Sequence, residues 1–242
     1  MDGEFVKEFQ EAVQRPVEVV GELVIPPHWY VWDKPIAQVP AIQVGTLTGF
    51  LQYIKDNTDA IDRAKCLVHI VSPTTVELRG PLEGEEVKFR RHTYMRATTD
   101  LVGIQPFPWG TYLDKERFFI GLQTSFAQTY RRDNLMMFVM SIRESNVRET
   151  VDDKVSQQVT VVKGVHTVAN ADVPNPVLLQ PYRTFREVEQ PESSFILRMK
   201  SGSEQPSCAL FESDGGAWKL EAIQSIASYL KGQLGETIPI LA

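Results

Sequence analysis

Between residues 26 and 40 the chain reads PPHWYVWDKPIAQVP, and no other stretch restricts the fold as much. Four prolines in this run remove backbone donors and hold φ fixed, which forbids a helix. Trp29, Tyr30 and Trp32 are large rings that demand burial. An extended arm laid across a surface meets both demands, and that surface can belong to a neighbouring subunit. Upstream, Phe5, Phe9 and Val13 repeat at helical spacing and predict a short amphipathic helix that ends before Pro16. At the other end, Ile238, Ile240 and Leu241 in IPILA make a tail too apolar for a free terminus. It is expected to pack on its own domain or on another chain.

Past the arm, GTLTGFLQYIKDN predicts a helix capped by a threonine, with Leu47, Phe50, Leu51 and Ile54 on one face. Residues 66–71 form a near-continuous apolar strand. TTVELRG, a Pro-Leu-Glu-Gly tip and VKFRRHTYMRAT then read as a long hairpin, whose returning strand alternates Thr93 and Met95 with His92 and Tyr94. After Pro106, Pro108 and Gly110, Asp114 is placed to cap a helix with a stripe of Phe118, Phe119, Leu122 and Phe126. A second helix is expected from Asp133, apolar all round from Leu135 to Met140, with Met136, Met137 and Met140 filling core gaps. Beyond about residue 150 the chain turns to valine, threonine and glutamine. VSQQVTVVKGVHTV, with a turn at Lys163-Gly164, then VLLQPYRTF, SSFILRMK and SCALFES all read as strands, before a last helix that Gly232 could end.

The expected fold is therefore α+β: amphipathic helices and a long hairpin first, then a β-rich part with a late helix. The divisions are an arm over 1–40, a helical and hairpin part over 41–150, and a β-rich part over 151–242 that can interlock with it.

With 242 residues and 43% hydrophobic content the chain can bury a full core. No apolar run is long enough for a membrane span, and the acidic, amphipathic start is unlike a signal peptide, so a cytoplasmic protein without a membrane partner is expected. Cys66 and Cys208 lie in apolar strand-like runs and read as buried free thiols. A net charge of -6 favours solubility over a general polyanion-binding surface.

Chemistry is harder to find. GxGxxG, a P-loop, HExxH and paired CxxC are all absent, and His28, His69, His92 and His166 are scattered, so no metal, cofactor or catalytic residue is expected. Glu86-Val-Lys88 fits the E-x-K part of a metal-dependent nuclease motif, for which Glu77 is the one conceivable partner acid. Lys88, Arg90, Arg91 and Arg96 with Tyr94 form a set that could contact phosphates and stack a base, although Glu83, Glu85 and Glu86 sit at the same hairpin's tip. In FESDGGAWKL, Glu212 and Asp214 could serve as ligating or acid/base carboxylates. With no histidine or cysteine nearby to complete a ligand set, Asp214, Gly215, Gly216 and Trp218 are read instead as a structural corner between a strand and a helix.

GTLTGFLQYIKDN, VPNPVLLQPYRTFREVEQPESSFILRM and ALFESDGGAWKLEAI together resemble the YfdQ-like group of phage and prophage proteins. The resemblance covers most of residues 40–230. It implies a phage context inside a bacterial host, no established enzymatic activity, and a structural role for the Asp-Gly-Gly-Ala-Trp corner. The order of elements, with an arm, a long hairpin, a long helix and a β-rich remainder, also resembles the phage capsid-like shell fold. The expected function is a non-enzymatic protein that assembles into a symmetric homo-oligomer, a closed shell included. A nucleic-acid-binding accessory of phage recombination or replication is the alternative, and an inhibitor of a host defence protein a third reading.

Overall fold

A computed structural model of the chain describes residues 18–20, 23–25, 39–83, 90–101, 104–142, 158–163, 167–172, 174–200 and 206–242. The expected N-terminal helix, the arm aromatics Trp29, Tyr30 and Trp32, the hairpin tip with Glu86 and Lys88, and the Gly164 turn lie outside these residues. The chain divides into two units, Met1–Pro40 and Ala41–Ala242. In the first, β1 (Glu18–Val20) pairs antiparallel with β2 (Leu23–Ile25). The arm reading did not anticipate this hairpin, whose signal is the β-branched sequence VEVVGELVI around Gly21.

The second unit is α+β and holds two cores. A five-stranded sheet of order β13-β4-β5-β6-β3 forms one. Its antiparallel centre is β4 (Leu67–Ser72), β5 (Thr75–Glu83) and β6 (Arg90–Thr98), while β3 (Ile42–Val44) and β13 (Ile240–Leu241) join its edges in parallel. Val68, Ile70, Val76, Leu78, Met95 and Ala97 face α1 (Leu47–Asp56) and α4 (Trp218–Leu234). In α1 the expected cap is Thr46, whose hydroxyl accepts the Gly49 N–H at 3.0 Å, and Leu47, Phe50, Leu51 and Ile54 are all buried. Burying four such side chains supplies about 6–12 kcal/mol of apolar transfer energy, far above the propensity of a ten-residue helix.

The second core lies between α2 (Lys115–Ser125), α3 (Tyr130–Ser141) and a four-stranded antiparallel sheet of order β10-β11-β12-β7. Its strands are β7 (Leu113–Asp114), β10 (Val177–Leu179), β11 (Ser193–Lys200) and β12 (Ser207–Glu212), and β8 (Gln158–Lys163) pairs with β9 (Thr167–Asp172) as a separate hairpin. Along β11, Ser193, Phe195, Leu197 and Met199 are buried in strict alternation. Asp114 caps α2 as expected, accepting the Arg117 N–H at 2.7 Å.

Four expectations need correction. The second of these helices starts at Thr129, which accepts the Arg132 N–H, four residues before Asp133. It is not buried all round: Leu135, Met136 and Val139 face the core, whereas Met137 and Met140 are 61% and 60% exposed. The last helix runs past Gly232 and ends at Gly235, whose φ of 61° breaks the helical course. Finally, VLLQPYRTF is a strand only over Val177–Leu179, because Pro181 and the buried Gln190 organise residues 180–192 into a stitch between the two cores.

The stitch is bonded on both sides. Ala127 N–H donates to the Gln180 carbonyl and Tyr182 N–H to the Ser125 carbonyl, both beside the helical core. Phe185 then drops fully into the other core, and Thr184 Oγ1 donates to the Pro73 carbonyl at 2.5 Å. Gln190 closes the loop, with Oε1 accepting from Arg183 and Thr184 N–H and Nε2 donating to the Phe185 carbonyl.

Candidate functional site

The corner after β12 is built around a residue that the sequence reading passed over. Arg183 enters from the stitch with its side chain 11% exposed, and its guanidinium carbon lies 4.9 Å from the Trp109 ring centre and 4.8 Å from that of Trp218. Trp109 in turn stacks on Phe195 at 4.9 Å with an interplanar angle of 12°. At its edge, Arg183 Nη2 pairs with Glu212 Oε1 at 2.6 Å. Cation–π contact of this kind contributes about 1–2 kcal/mol when desolvated.

Asp214 folds the turn beneath it. Its Oδ1 accepts the Gly216 N–H at 3.0 Å, and Gly215 and Gly216 hold φ values of 62° and 85° that a side chain would oppose. Burial pushes the Asp214 carboxyl up. The Gly216 N–H, the Ser193 hydroxyl and the Arg183 charge together outweigh that and hold it below the ordinary carboxylate range. Glu212 is therefore paired with Arg183, and Asp214 is bonded through Oδ1 to the backbone of its own turn. With the Trp109, Phe195 and Trp218 ring centres within 5.5 Å and Glu212 at its edge, the guanidinium joins β11, β12, the stitch and α4, and the arrangement acts as a structural clasp.

The hairpin arginines are partly engaged as well. Glu77 is 3% exposed, and Arg79 and Arg96 both grip it through Nε and Nη2, Arg79 on Oε2 and Arg96 on Oε1, at 2.6–2.8 Å. Burial raises the Glu77 carboxyl, but the hydrogen bonds and charges of these two arginines hold it below its ordinary range. Both carboxylate oxygens of Glu77 are thus taken up by guanidinium groups. Arg91 Nη1 donates to the Gly80 carbonyl at 2.9 Å. Tyr94 lies against Gly80 so closely that a Cβ there would meet its ring at 2.9 Å, and it packs on the sheet's core, which leaves it poorly placed to stack a base. Arg90 is exposed, and Lys88 lies outside the described residues. The sequence reading missed Arg79; the signal was Glu77-Leu-Arg79, two residues that a strand places on one face.

The apolar tail packs on its own unit. Ile238 is buried in the five-stranded sheet's core and Ile240 half-buried, so neither is a ready interface residue. Leu241, in register with His69, remains 57% exposed. Cys66 and Cys208 are buried free thiols. Burial pushes Cys208 up to about 12, against a small opposing effect of Lys115, and burial followed by the Asp62 charge raises Cys66. An open depression of about 430 Å³ is lined by Glu187, Glu189, Glu221, Ser225 and Tyr229 among others. Thr48 holds Glu187 and Gln180 holds Glu189. Among the described residues no group of three or more His, Cys, Asp or Glu could hold a metal ion.

Fold and site together define an α+β protein with a braced corner, in which no helix among the described residues is long and apolar enough to cross a membrane. No family model, curated protein or solved structure matches the chain.

Proposed function

We propose that this is a non-enzymatic, phage- or prophage-encoded protein of the bacterial cytoplasm that builds a symmetric homo-oligomer through its N-terminal arm. The observation that carries this reading is the division at Pro40: the arm and its three large aromatics belong to a unit separate from Ala41–Ala242. The two cores of that larger unit take their side chains from Val44 onward among the described residues. Three aromatic rings bring about 500 Å² of surface, roughly 12 kcal/mol gross at 25 cal/mol per Å² before the costs of association. That is over half of what one partner contributes to a standard interface of about 800 Å² per side. Exposed Tyr130, Met137 and Met140 on α3 add an apolar stripe on the larger unit.

The phage setting rests on the resemblance of residues 45–57, 173–199 and 209–223 to the YfdQ-like group, and a closed shell on the order of elements, an argument by analogy of fold. Light scattering of the purified protein, with negative-stain images of the same fractions, tests the reading. A closed or ring-shaped oligomer that falls to a smaller species when residues 1–40 are deleted is the expected result. A monomeric full-length chain would overturn it.

A further inference from the structure

We propose that the exposed surface of the β5–β6 hairpin is a contact strip for the phosphate backbone of single-stranded nucleic acid, with Arg79, Arg91 and Arg96 as its contacting groups. This goes beyond assembly, and rests on different residues.

The strip is defined by register. Arg96 is the Cα partner of Glu77, and Arg79 is that of Thr93, which lies between Arg91 and Arg96 on β6. Arg91 and Arg96 are about 16 Å apart at the rise of an antiparallel strand, with Arg79 between them on the neighbouring strand. Three cations in line over such a length suit an anion that repeats, more than a single oxyanion.

The charge balance points the same way. One guanidinium suffices to neutralise a buried carboxylate, yet Glu77 receives two. Among the described residues of this strip, Arg79, Arg91 and Arg96 against Glu77 leave two net positive charges. Glu83, at the end of β5, is in Cα register with Arg90 and not with any of these three arginines. The Glu77 fork also fixes Arg79 and Arg96 through their Nε–Nη2 edges, leaving Nη1 of each outside it, at 34% and 45% side-chain exposure. Long side chains lose rotamer entropy when they bind, and here much of that loss has already occurred on folding. Tyr94, packed on Gly80, offers no base platform, so the strip should read backbone and not sequence.

Fluorescence anisotropy of the full chain with a labelled oligothymidylate of about 16 nucleotides tests the proposal. The net charge of -6 opposes binding, so complexes are expected at low salt only. The log–log salt dependence should have a slope of about -2, from three phosphate contacts at roughly 0.7 each. Arg91→Gln should reduce that slope by about 0.7. The triple variant Glu77→Gln, Arg79→Gln, Arg96→Gln removes the fork without stranding a buried charge, and should abolish the remainder. Arg91→Gln, on an exposed side chain, carries the test if the triple variant fails to fold. Absence of binding at low salt, or a slope unchanged in Arg91→Gln, would overturn the proposal. So would competition by polyglutamate as effective as by unlabelled oligonucleotide at equal charge, which would assign the strip to an acidic protein surface.

Discussion

Arg183 shows how one side chain can decide the character of a whole loop. Its cation lies over the rings of Trp109 and Trp218 and pairs with Glu212, so an ammonium cannot replace it: Arg183→Lys keeps the charge and loses the guanidinium's extended contact with the rings. We expect Arg183→Ala to cost about 2–4 kcal/mol and Arg183→Lys about half of that, read from urea denaturation midpoints. A change below about 0.5 kcal/mol in the alanine variant would remove the clasp from the account. Titration adds a second test. Glu77 and Asp214 both have lowered carboxyl pKa values in the folded chain, so their stabilisation is fully present above the unfolded value of about 4 and is lost as pH falls through the lower folded values. Asp214→Asn should therefore flatten the decline of stability below about pH 4. An acid limb unchanged from that of the parent protein would refute the assignment. The buried thiols give a third: Cys66 and Cys208 should stay unreactive toward a disulfide reagent at pH 8 until the chain unfolds, and rapid labelling of the native protein would contradict their burial.

Among the elements, the helices were legible wherever a cap and an apolar stripe coincided. Thr46 and Asp114 are such caps, and replacing Thr46 with alanine should cost about 1 kcal/mol in thermal or chemical unfolding. On α3 the legible signal misled, because an apolar run from Leu135 to Met140 carries no marker of which side meets the sheet. Only packing against β10 and α2 leaves Met137 and Met140 in water. Glutamine at those two positions should leave stability within about 0.5 kcal/mol, as for other exposed substitutions, while changing association if that stripe meets a partner. The glycines divide similarly. Gly215 was readable from Asp-Gly-Gly, whereas Gly80 is needed because Tyr94 crosses it from the next strand, a contact that no local pattern announces.

For the molecule as a whole, the stitch makes the two cores of Ala41–Ala242 dependent on one another. Residues 180–192 hold Phe185 in one core and place Arg183 over the aromatics of the other, with Gln190 bonding back to the backbone of Arg183, Thr184 and Phe185. Tryptophan fluorescence and far-ultraviolet circular dichroism should therefore report a single coincident unfolding transition after deletion of residues 1–40. Two separated transitions would show the cores to be independent.

Hydrophobic spacing, caps and turn residues by themselves determined the α+β class, the order of the main elements, the burial of both cysteines and the turn at Asp214-Gly215-Gly216. Each depends on neighbours a few residues away, within reach of local chemistry. Tertiary structure alone decided that QPYRTF leaves the strand course, that Arg183 fills the corner, that Glu77 holds two arginines and that Ile238 faces inward. Such outcomes join residues far apart in the chain, as the Val68–Pro239 and Thr184–Pro73 hydrogen bonds do, and sequence spacing carries no information about which distant groups a closing core will bring together.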